Sequence, residues 1–132
     1  MNGEVRKMRE AVIVAYGRSG IGRAVKGSLA SVYPSHFAAQ VLKGVLKQVD
    51  GLKMDEIDDV IVGCAKPEVM QGKNLGRIVA QAAGLPDCVP GQTINRFCAS
   101  GLQSVASGAY AIMCGQADVI IAGGVESMSM LP

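Results

Sequence analysis

Pro90-Gly91-Gln92-Thr93-Ile94 leads directly into Asn95-Arg96-Phe97-Cys98-Ala99-Ser100-Gly101-Leu102-Gln103. The first five residues read as a short buried strand. Beyond them the period changes: Cys98, Leu102, Val105, Ala106, Ala109, Ile112 and Met113 fall on one helical face, and Gly115 follows as a stop. A cysteine therefore stands at the joint of strand and helix, in the predicted first turn. Unpaired N–H groups and the positive dipole end favour a thiolate there. Such placement lowers a cysteine pKa from about 8.5 towards neutrality and makes it a nucleophile. Most free cysteines are simply small buried apolar residues, so the neighbours of Cys98 have to decide.

Those neighbours are unusual for a core helix. Ala99, Ser100, Gly101, Ser104, Ser107, Gly108 and Ala111 leave much of the helix surface bare. Each interior glycine costs about 1 kcal/mol relative to alanine. Close approach of another backbone, predicted to be a second helix lying across this one, would offset that cost. A helix with almost no charge around it is buried on most sides.

The same pattern repeats along the chain. Ala11-Val12-Ile13-Val14-Ala15-Tyr16 is an apolar, β-branched run suited to a strand buried on both faces. Ser35 is the expected cap of a helix to about Val49, with Phe37, Ala38, Val41, Leu42, Val45, Leu46 and Val49 as its stripe and Gly51 as its stop. The acidic run Asp55-Glu56-Ile57-Asp58-Asp59 reads as a solvated turn before a second strand, Val60 to Cys64. Asn74 caps a helix from Leu75 to Ala83, ended by Gly84-Leu85-Pro86. The third strand, the Cys98 helix and a fourth strand from Asp118 to Val125 complete a βαβαβαβ order. Strands without polar alternation imply an α/β fold: a mainly parallel sheet with helices on both faces. Chemistry in such sheets gathers at the carboxyl ends of strands. Cys98 and the segment Gly123 to Ser129 both lie at such ends.

Composition narrows the class of function. The chain has 132 residues, enough for one domain, with 17 glycines, no Trp and 4% aromatics. Residues 1–10 read as a solvated basic arm and 11–132 as the domain. A net charge of +2 is too small to imply nucleic acid or a membrane surface as partner. No apolar run reaches the roughly 18 residues of a membrane span, and Ala11 to Tyr16 is too short for a signal-peptide core. The cysteines, Cys64, Cys88, Cys98 and Cys114, form no C-x-x-C pair, and His36 is the only histidine. A zinc site is therefore not expected, and a reduced, cytoplasmic protein is. Two phosphate motifs fail on inspection. Gly17 and Gly22 have P-loop spacing, but Arg23 and Ala24 replace Lys and Ser/Thr. Gly20-Ile21-Gly22-Arg23-Ala24-Val25 puts Val25 at the third glycine of a dinucleotide fingerprint, and no Asp or Glu lies between Ala11 and Val49 to hold a ribose.

Asn95 to Gln103, together with Gly123-Gly124-Val125-Glu126-Ser127-Met128-Ser129, resembles the nucleophile and strand-end blocks of the thiolases. Arg18 to Gly22, Gly27-Ser28-Leu29-Ala30 and Gln71-Gly72-Lys73-Asn74 resemble further family stretches in the same order. The likeness runs from Ala11 to Pro132. It implies an incomplete N-terminal half of a thiolase-like fold, with Cys98 as nucleophile in acyl transfer between coenzyme A thioesters. The reaction would be thiolytic cleavage of a 3-ketoacyl-CoA or condensation to acetoacetyl-CoA, through an acyl-Cys98 intermediate. The backbone N–H of Cys98 is a candidate oxyanion donor. No tightly bound cofactor is implied, and the resemblance singles out no residue that contacts coenzyme A.

In the family, resemblance implies, the proton acceptor is a histidine in the second half of the chain. A second cysteine there serves as acid and base, and an Asn-held water binds the thioester oxygen. None of these blocks occurs in the 132 residues. Cys114 follows Cys98 by 16 positions, roughly 24 Å along a helix at 1.5 Å per residue, Cys88 precedes it along an extended stretch, and the family offers His36 no role. The expectation is a split-gene subunit, a processed fragment or a truncated product that needs a C-terminal half or partner chain, within a homo-oligomer. Asn95-Arg96-Phe97-Cys98 and Glu126 to Pro132 look more like degradative 3-ketoacyl-CoA thiolases than biosynthetic ones. Two alternatives stand beside this: a non-catalytic thiolase remnant acting as an assembly module, and a condensing enzyme of the same fold.

Overall fold

A computed structural model describes residues 8–131. The arm residues Arg6 and Lys7 lie outside that range. Helix α1 spans Pro34–Leu46, strand β1 Asp59–Gly63, helix α2 Leu75–Ala82, strand β2 Gly91–Ile94, helix α3 Ser100–Met113 and strand β3 Ile120–Gly124. All pairings are parallel and the order is β2-β1-β3. The fold is the expected α/β sandwich of a parallel sheet between helices.

β1 is central because it is the strand apolar on both faces. Val60, Val62 and Cys64 turn to one side and join Ala39 and Leu42 of α1 and Leu75, Val79 and Ala80 of α2 in the main core. Ile61 and Gly63 alternate to the other side, where α3 lies close against the sheet. The crossover from β1 to β2 carries α2. The return across β1 to β3 carries α3 on the opposite face, as two right-handed crossovers require.

Three expectations change. Ala11 to Tyr16 forms no strand and lies outside the sheet, with Ile13 77% and Tyr16 84% exposed. Both edges of β1 are taken by β2 and β3, so this run could join only at an outer edge, and no pairing partner is present among the described residues. It is tethered instead beside β3, where the Arg9 guanidinium meets the Asp118 carboxylate and the Ala117 carbonyl. α1 begins one residue before its expected cap: Pro34 opens it with its preset φ, and Ser35 is buried inside the first turn. Asp58 is no solvated bystander. Its carboxylate accepts from the N–H groups of Asp118 at 2.7 Å and Val119 at 3.0 Å, which holds its pKa below the usual carboxylate value and fixes the entry to β3.

Candidate active site

The turn that carries Cys98 is built from its own side chains. Phe97 lies in the left-handed region at φ +49°, a conformation that costs a bulky residue about 1–3 kcal/mol unless its surroundings impose it. They do so on both flanks. Asn95 Oδ1 accepts from the Phe97 N–H at 2.9 Å. Ser100 Oγ accepts from the Arg96 N–H at 2.8 Å and donates to the Phe97 carbonyl at 2.6 Å. The chain thus reverses sharply between β2 and α3. Cys98 and Phe97 are both left exposed.

The helix starts later than the sequence implied. Ser100 is its first residue and Ala99 its N-cap, so Cys98 stands just ahead of the first turn. The N–H groups of Ala99 and Ser100 are taken by the carbonyls of Arg96 and Phe97, each at 3.1 Å. The face of α3 that packs is also different. Ser100, Ser104 and Gly108 are buried, whereas Leu102, Val105 and Tyr110 are exposed. The small residues serve close approach to the sheet, not to a second helix. A Cβ on Gly124 would come 3.2 Å from the Gly101 Cα, one on Gly108 2.8 Å from Ile120 Cγ2, and Ser104 Oγ donates to the Gly123 carbonyl at 2.8 Å. Burying a flat small-residue face brings the helix start, and Cys98 with it, down onto the ends of β1 and β3.

Beside this turn the segment after β3 is knotted to the segment after β1. The Glu126 carboxylate accepts from the N–H groups of Ala65 at 2.6 Å and Lys66 at 3.2 Å, and from Gln71 Nε2 at 2.9 Å. The buried Gln71 closes the ring, accepting from the Ser127 N–H at 2.8 Å and donating to its carbonyl at 3.2 Å. Sequence reasoning quoted both blocks and assigned neither residue a task. The available signal was a lone carboxylate two residues beyond an otherwise uncharged strand.

The cysteines separate by environment. Cys64, 1% exposed, donates its thiol to Glu126 Oε1 at 3.6 Å. Burial first, then the neighbouring carboxylate, pushes its pKa up to about 11 from 9.0. Cys88 precedes β2 and Cys114 caps the far end of α3, both exposed and both at the opposite end of the sheet from Cys98. His36 is exposed on α1, across the sheet from α3, with its ring 5.9 Å from that of Tyr33. Among the described residues no group of His, Cys, Asp and Glu could hold a metal ion, and no helix is long and apolar enough to cross a membrane.

Cys64 yields a pH prediction. Its folded pKa exceeds its unfolded one, so the native state keeps the proton longer, and the associated stability is whole below about pH 9 and lost as pH rises towards 11. The loss is about 2–3 kcal/mol at most, at about 1.4 kcal/mol per unit. The stability gap between wild type and Cys64→Ala, measured by urea denaturation from pH 8 to 11, should shrink by that order. A gap that is independent of pH would refute the burial account.

Residues 11–132 match the family model described as the thiolase N-terminal domain. The chain belongs to the thiolase family. The 3-ketoacyl-CoA thiolase of Bacillus subtilis (strain 168) is 51% identical over 125 residues, which are 95% of this chain and 32% of that thiolase. The 3-oxoadipyl-CoA/3-oxo-5,6-dehydrosuberyl-CoA thiolase of Escherichia coli (strain K12) is 46% identical over 125 residues, 95% of this chain and 31% of that one. Among solved structures, the Bacillus anthracis acetyl-CoA acetyltransferase superposes with a TM-score of 0.86 at 42% identity, covering 95% of this chain and 31% of that one. The chain therefore spans about a third of the length of the thiolases it matches.

Proposed function

We propose that this thiolase chain carries the nucleophile for acyl transfer between coenzyme A thioesters, and that Cys98 is that nucleophile. The observation that supports it is the strained, internally braced turn presenting an exposed Cys98 at the carboxyl end of the sheet. A strand–turn–helix joint with a forced backbone conformation is a recurrent way to hold a nucleophile clear of its own fold.

In the thiolytic direction the Cys98 sulfur attacks the 3-keto carbonyl of a 3-ketoacyl-CoA. The carbon–carbon bond breaks, the departing acetyl-CoA carbanion takes up a proton, and the shortened acyl group stays on Cys98 as a thioester. The thiol of a second coenzyme A then attacks that carbonyl, and Cys98 leaves with its electron pair. Condensation is the same path reversed. A base must first accept the Cys98 proton. Cys64 is held protonated beneath Glu126, and His36, Cys88 and Cys114 lie elsewhere on the fold. The base and acid are therefore assigned to a C-terminal thiolase half acting with this chain.

The test is alkylation by iodoacetamide at pH 7, read cysteine by cysteine by peptide mass spectrometry. Cys88 and Cys114 are the references for exposed thiols. Cys98 is expected to react faster than both, and Cys64 not at all. Equal rates at the three exposed thiols would favour a remnant that serves only assembly.

A further inference from the structure

Glu126 touches nothing at Cys98, yet a relay of hydrogen bonds and short backbone links runs from it to Phe97, the residue before Cys98. Its carboxylate fixes the backbone of Ala65 and Lys66 where the chain leaves β1. The carbonyl of that same Ala65 accepts from Asn95 Nδ2 at 3.1 Å. The other end of the Asn95 amide, Oδ1, accepts from the N–H of Phe97, whose φ is positive. The residue after Phe97 is Cys98. We propose that Glu126 is a positioning residue for Cys98, acting through Ala65, Asn95 and the left-handed Phe97.

Three features favour this over a merely structural knot. The groups that reach Glu126 are all donors: two backbone N–H groups, the Gln71 amide and the Cys64 thiol. Two carboxylate oxygens, which bear no N–H of their own, can accept from all four. A glutamine of the same size would set an NH2 against at least one of them. Asn95, for its part, has no freedom to turn over. Exchange of its oxygen and nitrogen would face a donor to the Phe97 N–H and an acceptor to the Ala65 carbonyl. Its orientation is therefore dictated by where the Ala65 carbonyl stands, which Glu126 sets. Finally, Phe97 carries strain that any loosening of this brace would release, and the exposed thiol next to it would swing with the relaxing turn.

The proposal rests on Cys98 as nucleophile for its consequence, although the linkage itself can be read separately. Contiguity alone does not establish coupling, so a double-mutant cycle is required. The variants are Glu126→Gln, Asn95→Asp and the pair together. Asn95→Asp keeps an acceptor for Phe97 but loses the donor to Ala65, and it leaves the Glu126 cluster whole, so it reports on the path even if Glu126→Gln melts. Two readouts are taken on the whole chain: the iodoacetamide rate of Cys98 relative to Cys88, and hydrogen exchange of the Phe97 amide by NMR. Each single variant should slow Cys98 and speed Phe97 exchange by about three- to tenfold, the scale of one hydrogen bond, and the double variant should do no more than either alone. Unchanged Phe97 exchange in both single variants, or additive effects in the double, overturns the linkage. If wild-type Cys98 is no faster than Cys88, the nucleophile reading fails, and Phe97 exchange alone then decides whether the linkage stands.

Discussion

Gly63→Val should unfold this protein or cost it at least about 3 kcal/mol, at the upper end of what overpacking produces. A Cβ at position 63 would lie 2.3 Å from the Ser100 carbonyl carbon, 2.4 Å from its oxygen and 2.6 Å from the Gly101 nitrogen. Those are backbone atoms at the start of α3, and they cannot rotate away as a side chain could. The helix would have to lift from the sheet, giving up the Ser104 bond to Gly123 and the contact of Gly101 with Gly124. Gly44→Ala is the matched control. Gly44 is exposed within α1 with nothing near its missing Cβ, so alanine should stabilise by about 0.5–1 kcal/mol through helix propensity and the unfolded state. Urea denaturation of the pair decides the matter. A Gly63→Val midpoint equal to wild type would mean that α3 does not press on β1.

The second large effect is chemical. Removal of the proposed nucleophile in Cys98→Ala should lower thiolysis of a 3-ketoacyl-CoA by at least about 10³-fold, the scale seen when covalent catalysis loses its attacking atom. The measurement is made on this chain joined to the C-terminal two-thirds of a related thiolase, since the base is assigned there. Folding should be indifferent to the change: Cys98 is exposed, and such substitutions usually stay within about ±0.5 kcal/mol. A peptide containing Cys98 should gain the acyl mass during turnover, and the variant should gain none. Turnover within tenfold of wild type, or acyl label on Cys64, Cys88 or Cys114, would move the nucleophile elsewhere.

Much of this architecture was legible in the chain. The run Val60 to Cys64 has no polar alternation, and β1 is the strand buried on both faces. Asn74 was read as a cap, and its Oδ1 accepts from the Arg77 N–H at 3.2 Å. Gly51, Gly84 and Gly115, read as stops, all have positive φ. Ala11 to Tyr16 misled because an apolar β-branched run states a preference for burial without naming a partner, and a strand exists only where another backbone offers its N–H and C=O groups. The buried face of α3 was misjudged for a related reason. Periodicity follows side-chain hydrophobicity, but the sheet selected the face of Ser100, Ser104 and Gly108 because only that face admits backbone at contact distance.

The sequence alone established the alternation of helices and strands from the first helix onward, the glycine stops, the Asn74 cap and the place of Cys98 at the end of a strand, because each of these follows from local propensity and side-chain period. Tertiary structure decided the bond that ties Asn95 to Ala65, the ring of donors around Glu126 and the protonated Cys64. These depend on atoms 30 to 62 residues apart meeting across the ends of three strands, and no local pattern encodes such a meeting.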